Sequence, residues 1–186
     1  GRGALDDDTN GAGKAQGAYA AKAWLCQATA AWAAERELGL DVVSAGELAI
    51  ALHSGFPASR IHFHGNNKTP SELRQALAAG VGRIVIDHPA ELALLDALAQ
   101  QHGRRQPVWL RINPDVDVAT HDHTRTGHAA SKFGLTLADG AAQATAEQAL
   151  TLAGVELMGL QCHIGSQIRD AEPLVVAVER LPNLAA

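Results

Sequence analysis

Short β-prone runs alternate with longer stretches of helical spacing along most of the chain, and each run has a polar residue at or beside its end. Ala18–Lys22 opens the series and leads into a helix predicted over Trp24–Leu38. Gly39–Val43 is the second run. Ser44-Ala-Gly-Glu47 after it has the spacing of a capping box, a serine at the N-cap with an acid three residues on, and opens a helix over Gly46–Ser54. Arg60–His64 follows and passes through Gly65-Asn-Asn-Lys68 into a second box, Thr69-Pro-Ser-Glu72. Its proline suits the first helical position, and that helix ends near Gly80. Arg83–Asp87 precedes Pro89 and a helix whose apolar face is Leu92, Leu95, Leu98 and Ala99. Pro107–Ile112 is the fifth strand.

The rhythm then breaks. Residues 113–134 carry no clear periodicity, whereas connections in such folds usually run to about 2–6 residues, and ordered loops of that length tend to be functional. A helix from about Gly140 to Ala153, a sixth strand over Val155–Cys162, an exit loop His163–Asp170 and a helix over Glu172–Arg180 restore the pattern. Strands alternating with helices imply an α/β fold with parallel strands, either a TIM (β/α)8-type barrel or an open doubly wound sheet. Lys22, Asp41 with Ser44, His64 with Asn66, Asp87, Arg111 and His163 fall at or near the strand ends. In a barrel those ends meet at one mouth, which favours the barrel. About six βα units are visible, so the barrel is read as incomplete: residues 18–186 form one partial barrel domain, preceded by loop or disorder over 1–17.

Composition narrows the functions. The 186 residues carry a net charge of −5 with no basic block, which argues against a nucleic-acid surface. Cys26 and Cys162 belong to no CxxC pair, which fits neither a zinc site nor a disulfide framework and suits a reducing cytoplasm. No apolar run reaches the ~18 residues of a membrane span. Gly11-Ala-Gly-Lys14 lacks the first glycine and the hydroxyl residue of a phosphate loop. His121, His123 and His128 have no carboxylate or cysteine at ligand spacing, so they are read as part of a polar loop and no metal is expected.

Lys22 is the residue on which the chemistry turns. Taken alone, a lysine after a strand is either a solvated cap or an amine able to condense with a carbonyl cofactor. Five segments bear on the choice: Tyr19-Ala-Ala-Lys22-Ala, Asp41-Val-Val-Ser-Ala-Gly-Glu47-Leu, His64-Gly-Asn-Asn-Lys-Thr69, Ser131-Lys-Phe-Gly134 and His163-Ile-Gly-Ser-Gln-Ile168. In that order they resemble the diaminopimelate decarboxylases, members of the alanine-racemase-like (fold type III) pyridoxal-phosphate enzymes. The resemblance runs from Tyr19 to the C-terminus.

It implies pyridoxal 5'-phosphate as cofactor, with Lys22 as its Schiff-base lysine and His163 stacked on the pyridine ring. Ser166 and the backbone at Gly165 would hold the phosphate, Arg111 would face the cofactor, and Asp41 is similar to the family's acidic residue near the lysine. Glu47 is read first as the third residue of its capping box. The Asn66-Asn67-Lys68 loop and the long Asn113–Gly134 loop, with Asn66, Asn67 and Lys132, would border a small amino-acid substrate. The implied reaction is decarboxylation of meso-2,6-diaminopimelate to L-lysine, the last step of lysine biosynthesis, by a homodimeric cytoplasmic enzyme.

Departures qualify the likeness. Trp24 stands where the family usually has asparagine, and residues 1–17 do not resemble the usual N-terminal segment. A glycine-rich phosphate loop, an acid facing the pyridine nitrogen and a C-terminal β-domain do not appear. The expectation is therefore a fragment with weak or no activity alone. Another amino-acid decarboxylase or racemase of this fold, or a non-catalytic remnant that binds pyridoxal phosphate, remain alternatives.

Overall fold

Five strands follow one another in the same order along the chain and across the sheet. A computed structural model describes residues 16–116, 133–165, 168 and 170–181. The strands are β1 (Ala18–Ala20), β2 (Gly39–Val42), β3 (Ile61–Phe63), β4 (Arg83–Ile86), β5 (Gln106–Asn113), β6 (Leu135–Thr136) and β7 (Val155–Cys162). The helices are α1 (Gln27–Glu35), α2 (Ala45–His53), α3 (Pro70–Ala79), α4 (Pro89–Gln101), α5 (Ala141–Thr151) and α6 (Glu172–Arg180). All pairings are parallel, β1 to β5 lie side by side in sequence order, and β7 pairs with β5. A doubly wound sheet reverses its strand order at a switch point; this one does not, which is the arrangement of a TIM-type barrel arc.

Alternation along the strands separates two faces. Leu40, Val42, Ile61, Phe63, Ile84, Ile86, Val108 and Leu110 are completely buried and share one core with Leu48, Leu73, Leu77, Leu92 and Leu95 of the helices. Each such side chain contributes about 1.5–3 kcal/mol on removal from water. The opposite face is polar. The register places Asp41 beside His62 and His62 beside Arg83, with Trp109 and Arg111 two residues apart on β5. The helices thus cover the apolar side of the arc and leave its inner side for chemistry. Among the described residues no helix is long and apolar enough to cross a membrane.

Start and stop signals hold at several ends. Ser44 Oγ accepts the Glu47 N–H at 3.2 Å. The Glu47 carboxylate, however, accepts from Val43 N at 2.7 Å rather than from the N-cap residue itself. Thr69 and Glu72 form the full reciprocal box, Pro70 opens α3, and Gly80 closes it in the left-handed conformation at φ 72°.

Three expectations need correction. The first strand stops at Ala20, and Lys22 sits in a 3₁₀ turn over Ala21–Ala23. The first helix is shorter than Trp24–Leu38: Cys26 caps it through Thr29, and Glu37 adopts φ 58°, which ends it. A seventh strand exists, since Leu135–Thr136 pairs with Ile112–Asn113 just beyond where β4 stops, on the edge of β5 opposite β7. All but the last two residues of the expected N-terminal loop, 1–17, lie outside the described residues.

Candidate active site

The Lys22 turn is built by its neighbours. Ala21 is buried against the core, and the Tyr19 hydroxyl donates to Trp24 O at 2.7 Å, so both ends of the turn are fastened. Tyr19 is itself braced edge-on against Trp32, ring centroids 6.4 Å apart. Lys22 between them is exposed at the end of β1. It stands two residues beyond the rung on which Ala20 pairs with Asp41.

Asp41 and the next strand form the floor. Its Oδ1 lies 2.9 Å from His62 Nδ1 and 3.5 Å from His64 Nε2. Burial raises the Asp41 pKa, but the hydrogen bonds and charges of His62 and His64 outweigh it and hold the carboxyl below the usual carboxylate range. The His62 ring leans on Trp109 at 4.7 Å, and Arg83 lies over the same indole at 4.8 Å. Polar atoms of Arg83 (Nε) and Gln161 (Oε1) are buried without a hydrogen-bond partner. Such orphans are costly in an apolar interior and ordinary in a cavity that receives a polar ligand.

Arg111 rises from β5 and is fixed on two sides. Nη1 donates to Asp87 Oδ1 at 3.0 Å, and the guanidinium lies 4.8 Å from the Phe133 ring. Asp87 Oδ2 accepts Gly134 N–H at 3.1 Å. Gly134 has φ 78°, and a Cβ there would stand 3.1 Å from Arg111 O, so the Phe133–Gly134 segment needs glycine to close on β5.

His163 follows β7 and is partly buried. Its pKa is depressed, first by burial and then by the positive charges of Lys22, Arg111 and His64. The ends of β1, β3 and β5 therefore bear electrostatically on the imidazole that follows β7 and favour its neutral form. Gly165 has φ 150°. Asn66 and Asn67 are exposed in the connection after His64. Ser166, Lys132 and the histidines of the long loop lie outside the described residues. Among those described, no group of three histidine, cysteine or acidic side chains could hold a metal.

Lys68 departs from the reading that put the whole Asn66–Lys68 loop beside the substrate. Its side chain is 1% exposed, and Nζ donates to Gly65 O at 2.6 Å and Val85 O at 2.7 Å. It also faces Glu91 Oε1 at 2.6 Å. Burial pulls the Lys68 ammonium below its ordinary range and pushes the Glu91 carboxyl above, each opposed by the partner's charge. Glu91 was not assigned a site role from sequence, and Asp87 was noted there as a strand-end polar residue and nothing more. The only available signal was that Asp87 ends a strand, because their partners are distant along the chain.

The donor set fits a flat, phosphorylated aldehyde: an exposed amine, an imidazole, a guanidinium fork and buried polar atoms without partners. Comparisons with known proteins agree. The family model described as pyridoxal-dependent decarboxylase, pyridoxal binding domain, matches residues 6–186. Diaminopimelate decarboxylase of Bacillus subtilis is 49% identical over 168 residues, covering 90% of this chain and 38% of that protein. The chain thus spans well under half the length of such relatives. The crystal structure of diaminopimelate decarboxylase from Helicobacter pylori complexed with L-lysine superposes with a TM-score of 0.86 at 32% identity, covering 92% of this chain and 43% of the other. The arginine decarboxylase of Paramecium bursaria Chlorella virus shares the fold, with a TM-score of 0.75 at 24% identity.

Proposed function

Because the chain belongs to the pyridoxal-dependent decarboxylases through their pyridoxal-binding domain, we propose that it supplies the lysine-bearing wall of a diaminopimelate decarboxylase. The observation that carries this reading is the set of polar groups at neighbouring parallel strand ends: Lys22 beyond the Ala20–Asp41 rung, Asp41 facing His64 at 3.5 Å and Arg111 held by Asp87 at 3.0 Å. Burial first, and then Lys22, Arg111 and His64, lower the pKa of His163. Pyridoxal phosphate, when bound, supplies the carbonyl that an amine can attack and the ring that accepts the electrons left by carbon dioxide.

The protein's share follows from the side chains. Lys22 presents an exposed amine on a turn fastened at both ends. His163, whose lowered pKa favours the neutral imidazole, offers a flat face to an aromatic ring. Arg111, aimed by Asp87, retains fork geometry toward a carboxylate or phosphate. Asp41 places an ionised carboxylate beneath the Lys22 turn and orders His62 and His64 around it. Ser166 and Gly165 are assigned to the phosphate, and Asn66, Asn67 and Lys132 to the substrate rim, on the motifs they belong to.

The substrate assigned is meso-2,6-diaminopimelate and the product L-lysine, by kinship with the Bacillus and Helicobacter enzymes. In this reading the complete enzyme is a cytoplasmic homodimer, to which the free thiols of Cys26 and Cys162 are suited. Residues 18–186 act as one partial barrel unit with little or no turnover of their own.

The test is covalent trapping. The chain is incubated with pyridoxal phosphate, reduced with borohydride and digested, and the modified peptide is sequenced by mass spectrometry. Modification at Lys22, abolished in Lys22→Ala, is the expected result. Modification spread over surface lysines and unchanged in that variant would overturn the assignment. Diaminopimelate added to the loaded chain should release lysine slowly or not at all; robust release would refute the fragment reading.

A further inference from the structure

Lys68 and Glu91 form a buried ion pair, their side chains 1% and 9% exposed. A buried pair of this kind is weak evidence for stability, since apolar residues of equal volume often replace one without loss. Its connections point elsewhere. Lys68 fastens Gly65 of the β3–α3 connection to Val85 of β4. Glu91 uses its second oxygen, Oε2, to accept the Asp87 N–H at 3.1 Å. Asp87 then divides its carboxylate, Oδ1 to Arg111 at 3.0 Å and Oδ2 to Gly134 N at 3.1 Å. The chain of contacts runs from a buried ammonium to the guanidinium at the mouth, crossing four segments that are remote in sequence.

We propose that Lys68 and Glu91 are positioning residues: by holding the Asp87 backbone they fix its carboxylate, which sets where Arg111 stands and seats the Phe133–Gly134 segment beside it. Lys68 orients the Glu91 carboxylate, Glu91 pins the end of β4, and Asp87 transmits the placement to β5. The ligand served is an anionic group, phosphate or carboxylate, at Arg111; that last step rests on the functional reading above, whereas the clamp does not. Geometry at such a fork is demanding, and a misplacement of about 1 Å can cost on the order of 100-fold in function.

Glu91→Gln in the full chain keeps the side chain's size and removes its charge, and the paired variant K68M/E91M replaces the ion pair by apolar volume. The primary readout is amide hydrogen exchange at Gly134, which needs no cofactor, referenced to Leu110 in the β5 core. Both variants should exchange Gly134 about tenfold faster with Leu110 unchanged. Unchanged Gly134 protection in folded E91Q overturns the clamp. If K68M/E91M fails to fold, the pair is structural and the proposal also falls. A second readout is pyridoxal phosphate titration: where the wild-type chain takes it up, E91Q should weaken uptake about tenfold, as loss of an outer partner does at other sites. A wild-type chain that takes up none contradicts the functional reading and leaves Gly134 exchange to decide the clamp.

Discussion

Asp41 Oδ1 stands 2.9 Å from His62 Nδ1 across the β2–β3 rung, and the two residues are register partners. The pairing is a consequence of the sheet: two parallel strands in this register place both side chains on the inner face. The same oxygen also faces His64, two residues on, at 3.5 Å. One carboxylate therefore organises two histidines, one packed on Trp109 beneath the mouth and one within electrostatic reach of His163.

The sign of the Asp41 shift sets a pH dependence. Burial raises its pKa, and the histidine contacts lower it by more, so the folded value lies below the unfolded 3.8. The stabilisation is fully present above 3.8 and is lost as pH falls through the folded value. Asp41→Asn should cost about 1.5–3 kcal/mol at neutral pH, the range for hydrogen bonds to charged groups. It should also flatten the acid limb of stability. Urea unfolding followed from about pH 7 to about pH 3 measures this; parallel curves for both proteins would contradict it.

What the sequence disclosed and concealed divides along physical lines. Local signals were legible: Ser44, Thr69 with Glu72, Pro89 and Gly80 mark helix ends because capping is decided within a few residues. The alternation of strands and helices predicted the barrel arc for the same reason. The Lys22 turn was missed because alanines suit a strand, a 3₁₀ turn or a helix, and the Tyr19 hydroxyl on Trp24 O chooses among them. Leu135–Thr136 is too short for any period to register. Lys68 reads as a loop lysine because the carbonyl of Val85 and the carboxylate of Glu91, which draw it inward, are tertiary partners.

Glu72 serves two helices. Its Oε2 accepts from Thr69 N at 2.9 Å, closing the box on α3, while Oε1 accepts Ala45 N at 3.1 Å at the start of α2. Removing it should therefore cost more than removing one cap. Glu72→Ala is expected to lose about 2 kcal/mol and Thr69→Ala about 1 kcal/mol. Equilibrium denaturation of the two variants compares them; equal losses would mean that the Ala45 contact contributes nothing.

Gly82 has no room for a side chain. A Cβ there would lie 2.0 Å from Ser59 O and 2.7 Å from Ser59 C, and backbone cannot swing aside as a flexible side chain can. Gly55, at φ 77°, has nothing within 4 Å of its Cβ and carries only conformational strain. Gly82→Ala should destabilise by about 3 kcal/mol or more through forced backbone displacement. Gly55→Ala should cost about 1 kcal/mol. Thermal or urea midpoints within error of each other would show that the 59–61 segment yields freely.

His163 offers a direct view of the convergence at the mouth. Burial is the first cause of its depressed pKa, followed by the charges of Lys22, Arg111 and His64. Neutral His163 is favoured in the folded state, so this contribution to stability is present above the unfolded value of 6.5 and declines as pH falls toward the folded one. Lys22 is exposed, and its replacement disturbs little packing. In Lys22→Ala the His163 imidazole should titrate at higher pH than in the wild type, followed by its ring proton resonances. The shift should shrink as salt is added, because a charge reached partly through water is screened over about 10 Å at 0.1 M ionic strength. An unmoved titration would place the amine of Lys22 too far from His163 for both to face one cofactor.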